Sequence, residues 1–255
     1  MATKGTKDVA GLFLGPTDVK ADVNDFNIKM SMSLSDFHPV GQVFPAPLDG
    51  GGRNGVMTLN GFYNGLDTAD TVIAAQASSN IVAAALIDGG DPFLAAAPTG
   101  YRFYGFKSAI LDSSDISMSP DEAHKTVSGI TAAGNIDFGF VVHNPSTLRS
   151  GTTGSPTDAA YADMGAASSA SGVRIYLAVP AITLGSATNL IPTVRHSTDH
   201  SSWGVLSGGS FTAVTAPSAE CKTVAGVCNR YLSISWAWTG STGTSFYAFV
   251  GVAPI

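Results

Sequence analysis

Short runs in which apolar and polar residues alternate strictly, each closed off by Gly, Pro, Asp or Ser, recur along most of this chain. A period of two fits extended strands and nothing else. "VNDFNIKMSM", residues 23–32, sets Phe26, Ile28, Met30 and Met32 against polar neighbours. Beyond the Pro/Gly-rich "FPAPLDGGGRNG" the alternation restarts at 56–63, with Val56, Thr58, Asn60 and Phe62 on one face and Met57, Leu59, Gly61 and Tyr63 on the other. These two runs predict an antiparallel pair joined by a long loop. "IVAAALI", "YRFYGFKSAILDSS" and "AHKTVSGITAAGNI" read as further strands, each bounded by breakers. One segment departs from the pattern. "TADTVIAAQAS" brings Ala69, Val72, Ile73 and Gln76 near helical spacing, with Asp67 or Thr68 as N-cap and Asp70 in the first turn, and predicts one short helix.

From Ile136 the texture becomes Ser/Thr/Gly-rich, with alternation at 138–142, 173–179, 190–194, 231–238 and 246–252. Strands of that length and spacing predict a β-sandwich. Residues 144–170 show no periodicity and many breakers, which predicts a long loop. Pro192 inside a predicted strand implies an edge position. The expected organisation is mainly β, with a first domain over 1–135 that includes the helix and a second over 136–255. A chain of 255 residues is long enough for two such domains.

Charge is distributed unevenly. Residues 1–135 hold eight Lys/Arg against fourteen Asp/Glu, while 136–255 hold five of each, so the whole net charge of −6 belongs to the first half. No basic run exists to neutralise phosphates, which argues against tight nucleic-acid binding by counterion release but leaves room for DNA passing without being gripped. The apolar run near the N-terminus, "VAGLFLG", falls far short of the roughly 20 residues of a membrane span and of a signal-peptide core. The expectation is a soluble protein made in the cytosol. Cys221 and Cys228, the only cysteines, have neither zinc nor disulfide-framework spacing, and free thiols are favoured over a disulfide clip.

The densest collection of reactive side chains is "TVRHSTDHSSW", residues 193–203. His196 and His200 lie four apart and would share a helix face, but "LIPTV" before them reads as a strand and "STDHSS" as turn chemistry. A zinc site would also need a third ligand and a supporting carboxylate, and His38, His124 and His143 offer no matching spacing. A polar turn is the expectation. The motifs of nucleophilic catalysis and of phosphate-binding glycine loops are missing. Tyr101, Phe103, Tyr104 and Phe106 could stack bases or sugars, and Trp203, Trp236 and Trp238 could form a sugar-binding ridge; sheet alternation favours core or interface for the first set and core for the second.

Taken in order, "DVNDFNIKMSMSLSDFHPVG", the Pro/Gly loop, "GVMTLNGFYNGLDTAD", the paired strands, "FGFVVH", "GAASSASGVRIYLAV", "VRHSTDHSSWGVL" and "NRYLSISWAWTGSTGTSFYAFVGVA" resemble the major tail (tail tube) proteins of long-tailed bacteriophages. The resemblance spans nearly the whole chain and lies in the order of loose structural motifs. It implies a tail-tube-type β-sandwich or barrel domain that forms the wall of a hexameric ring, with rings stacked into a tube, followed by an outward-facing β-sandwich. It implies tape-measure, terminator and distal tail proteins as partners, DNA passing through the lumen, and a place in the virion tail after assembly in the host cytoplasm. Trp203 and Arg230 become fold-holding residues, and no catalytic, cofactor or metal role is implied. The ring-to-ring contacts are expected in residues 44–53 and the N-terminal arm. Two other readings stand beside it. A carbohydrate- or host-surface-binding virion module predicts measurable sugar affinity, and an enzyme such as a glycosidase predicts a cleft with two convergent carboxylates, for which the second half has few acids.

Overall fold

The computed structural model describes residues 9–20, 23–32, 35–37, 46–48, 53–62, 81–87, 102–119, 122–132, 136–145, 147–151, 161–168, 170–239 and 244–255. In chain order the strands are β1 (Val9–Leu14), β2 (Thr17–Asp18), β3 (Val23–Met32), β4 (Ser35–Phe37), β5 (Ala46–Leu48), β6 (Arg53–Phe62), β7 (Ile81–Ile87), β8 (Arg102–Ser119) and β9 (Glu122–Ala132). There follow β10 (Ile136–His143), β11 (Arg149–Gly151), β12 (Ala162–Asp163), β13 (Val173–Thr183), β14 (Asn189–Ser197), β15 (Gly204–Ser210), β16 (Ser218–Val224), β17 (Tyr231–Thr239) and β18 (Thr244–Pro254). The protein is mainly β, and the helix expected within 68–78 lies outside the described residues. Two compact units form, one from Met1–Ala21, Val82–Gly105 and Asp137–Ile255, the other from Asp22–Ile81 and Phe106–Ile136. The first 135 residues are therefore shared between the units. Residues 9–14 and 82–87 join the C-terminal segment because β1 pairs with β7, and Phe13 and Phe103 bury their rings against Phe249.

The smaller unit is an antiparallel sheet in the order β3-β6-β9-β8. The expected β3–β6 pair runs from Val23 opposite Gly61 to Met32 opposite Arg53. Its connection holds a separate two-stranded piece, β4 with β5. On β6 the alternation does what its period requires: Met57 and Leu59 are buried while Val56, Thr58 and Asn60 are half-buried. Strand β3 has β6 on one side and no described strand on the other.

In the larger unit one sheet runs β16-β13-β18-β10-β8-β7-β1-β2. Strands β18 and β1 are four positions apart, about 19 Å in a flat sheet at ~4.8 Å per strand. Yet Phe13 of β1 stacks on Phe249 of β18 with ring centroids 5.6 Å apart, so the sheet must curl strongly. Strand β2 accordingly comes to lie against β13. Inside the curl, Phe13, Phe103, Tyr176, Ala178, Phe249 and Ala253 form one core. Space there is tight: a Cβ on Gly139 would meet the Phe103 ring at 2.3 Å and the Val252 carbonyl at 2.7 Å, so only glycine fits.

A second sheet, β12-β17-β14-β15, packs on the outer face of β10, β13 and β18 through Ile175, Leu177, Val250, Ile234 and Trp236. Strand β13 is thus covered on both faces, Ile175 and Leu177 toward one core and Tyr176 and Ala178 toward the other. The alternation expected over 173–179 therefore holds only at Val173, Arg174 and Ile175, and the run from Ile175 to Val179 is continuously apolar because both faces are buried. The predicted strands of this half are all present, but the loop expected over 144–170 contains β11 and β12. Pro192 does not mark an edge, because β14 has β17 and β15 as neighbours. Its carbonyl accepts from the Phe211 amide, just past the end of β15. In an antiparallel strand a residue's nitrogen and oxygen point to the same side, so Pro192 places its missing N–H where the ladder with β15 has already stopped.

Candidate functional site

The segment 193–203 is the end of β14 and a turn that reverses into β15, with Arg195 opposite Val205 and His196 opposite Gly204. Asp199 organises the turn. Its carboxylate accepts from the amides of Ser201 (3.0 Å) and Ser202 (2.8 Å) and from the Ser197 hydroxyl (2.8 Å), while the Asp199 amide donates back to that hydroxyl (3.2 Å). Such bonds are what Ser and Asp offer a turn. The Ser202 and Ser201 amides hold the Asp199 carboxyl far below the usual carboxylate range. The two histidines engage different partners: His196 Nδ1 accepts from the Asn229 amide at 3.1 Å, and His200 lies against Tyr161 and Tyr231. Burial lowers the His196 pKa, and its acceptor role at Nδ1 fits the neutral ring. Among the described residues no group of three or more His, Cys, Asp or Glu converges as a metal site.

His200 adopts φ +52°, a left-handed conformation that glycine or asparagine takes more readily. That backbone sends its ring flat onto Tyr161, with centroids 5.2 Å apart and planes 8° from parallel, and edge-on to Tyr231 at 5.2 Å. Tyr161 also meets Tyr231 edge-on at 5.6 Å and has Trp203 at 6.4 Å. The cluster is fixed from outside the turn. Pairing of β12 with β17 sets Asp163 opposite Tyr231, and Arg195 donates to the Trp203 carbonyl at 2.5 Å. Arg230 grips Asp163 with Nε and Nη2, both at 2.7 Å, and its guanidinium lies 4.9 Å over the Tyr231 ring. That grip, helped by the Gly165 amide, keeps the Asp163 carboxyl below its ordinary range.

Trp236 is buried in the sandwich core, with His143 edge-on at 5.0 Å, and Trp238 is half-buried against the same core; Trp203 alone of the three belongs to the surface cluster. Phe103 and Phe106 are fully buried and Tyr104 packs against the exposed Phe138 at 5.2 Å, while Tyr101 lies outside the described residues. Tyr161, Asp163 and Tyr231 escaped the sequence reading. Tyr161 sits in a stretch without periodicity, and only the adjacency of Arg230 and Tyr231 hinted at it. A second polar cluster is internal: Arg174 Nη1 donates to both Asp137 oxygens at 2.6 Å, and the Tyr176 hydroxyl donates to the same carboxylate. Cys228 is buried and Cys221 half-buried, neither joined in a disulfide, and burial pushes the Cys228 thiol up to about 12.

No family model and no curated protein matches the chain. Among solved structures it is similar to a chain in the virion of a native gene transfer agent particle, at 16% identity over 54% of this chain and 98% of that one, with a TM-score of 0.39. It is similar to a chain in the tail of an empty gene transfer agent particle solved with C6 symmetry, at 15% identity over 54% and 98%, TM-score 0.36. The SPP1 Dit protein, described as a hub adsorption apparatus of phages infecting Gram-positive bacteria, aligns at 7% identity over 95% and 98%, TM-score 0.33. At these scores the superpositions are loose.

Proposed function

We propose that the chain is a structural protein of a phage tail, whose copies close into six-membered rings and stack into the tube that conducts DNA from capsid to host. One observation carries this reading: the smaller unit's sheet ends in a ten-residue outer strand, β3, with a described neighbour on one side only. A row of open N–H and C=O groups that long is a template for another strand. Pairing with a sister copy around a closed ring removes the edge from every copy at once. The two segments of this unit hold four Lys/Arg against ten Asp/Glu, while the other unit holds nine of each, so the entire net charge of −6 belongs to the unit that contains β3. A channel lined by units with that acidic excess would repel phosphates and let DNA slide.

Under this reading residues 136–255 face outward, residues 44–53 and the N-terminal arm contact the next ring, and tape-measure, terminator and distal tail proteins are the partners. The protein does no catalysis; it reaches the virion after assembly in the host cytoplasm. Electron microscopy of the purified protein is expected to show six-fold rings and tubes, and labels against it are expected along the full length of virion tails. A monomer at every concentration, or labels confined to one end of the tail, would overturn the assignment.

A further inference from the structure

We propose that the surface made by Tyr161, His200, Trp203 and Tyr231, together with the Arg230–Asp163 pair, is a binding site for a neutral pyranose sugar. A pyranose presents polarised C–H bonds on one face and hydroxyls around its rim. It needs aromatic faces for the first and planar donors and acceptors for the second. Both are here on one surface. His200 is exposed, the other three rings are half-buried, and the Arg230 side chain is 45% exposed. Asp163 engages Nε and Nη2 of Arg230, so the remaining N–H groups of that guanidinium are available to hydroxyls.

The charges decide among ligands. Arg230 is neutralised by Asp163, and the chain as a whole carries −6, so neither an anionic polymer nor a nucleic acid finds the field it needs. The backbone supplies an independent argument. A histidine held at φ +52° is less stable there than glycine, and the turn keeps it at that cost with its ring exposed on the aromatic cluster. Asp199 and the β12–β17 pairing fix the rings before any ligand arrives, which lowers the ordering cost of binding. The site stands whether or not the chain forms rings.

The test is saturation-transfer NMR and titration calorimetry of the full chain with maltotriose, cellotriose, galactobiose and N,N′-diacetylchitobiose, with polygalacturonate as acidic control. The informative variant is His200→Gly, which removes the ring and suits the left-handed backbone. It is expected to keep or raise the unfolding temperature while weakening sugar binding about tenfold. Tyr161→Ala is expected to abolish the transfer signal. If none of the four neutral sugars binds, or if binding survives both variants, the site is refuted. A fall in unfolding temperature for His200→Gly with sugar affinity intact would make the cluster purely structural and refute it equally.

Discussion

Burial holds the Tyr176 phenol protonated far beyond its ordinary range, with neighbouring Cys221 and Asp137 acting in the same direction. The neutral hydroxyl donates to Asp137, which already takes the Arg174 guanidinium, so β10 and β13 are tied at one carboxylate. Replacing Tyr176 by Phe removes a donor to a buried anion and should cost about 1.5–3 kcal/mol at pH 8, measured by denaturant unfolding. The pH dependence has a definite sign. The folded state keeps its proton where the unfolded phenol, with a pKa of about 10, loses it. The Tyr176 contribution is therefore complete below pH ~10 and is lost as pH rises beyond, at about 1.4 kcal/mol per unit. Tyr176→Phe lacks that loss, so the gap between variant and parent should narrow between about pH 10 and pH 11. An unchanged gap would mean that Tyr176 ionises in the fold as readily as in the open chain.

At the scale of elements, β3 has no described neighbour on one side, and proline can read whether that side takes a partner. Successive residues in a strand send their N–H groups to opposite sides. Asn27→Pro and Ile28→Pro therefore remove donors on opposite sides of β3, opposite Thr58 and Met57 of β6 respectively. One variant should lose a ladder bond to β6 and unfold earlier; the other should keep its stability and fail to assemble, as seen by light scattering and microscopy. Equal assembly by both would show that this edge takes no partner. Much of this architecture was legible in the alternation. The β3–β6 pair, β7 and the five strands of the second half all come from a period of two or an apolar run. What was missed lacked that signal: "GVLSGGS" of β15 and "SAECKTV" of β16 carry too few apolar residues, and β11 and β12 are too short to show a period. The turn at 197–203 was legible from its Ser and Asp residues. Its aromatic company was not, because Tyr161 reaches His200 across 39 positions through the β12–β17 pairing, a contact that no local pattern encodes.

For the molecule as a whole, charge and edge act against each other, and their balance can be tuned. In the proposed ring, joining copies through β3 would bring together units that carry four Lys/Arg against ten Asp/Glu each, so like-charge repulsion would oppose the same contact that backbone pairing favours. Repulsion between exposed charges is screened within a Debye length, which falls from about 30 Å at 0.01 M salt to about 8 Å at 0.15 M. Backbone hydrogen bonds and buried apolar contacts are much less affected. Assembly should therefore strengthen as salt rises over that range, and sedimentation velocity should show monomer giving way to rings. A protein whose copies met through opposite charges would do the reverse and dissociate. The same field predicts that duplex DNA added to preformed rings leaves their sedimentation unchanged at 0.15 M salt, since a wall that repels phosphates allows passage without retention.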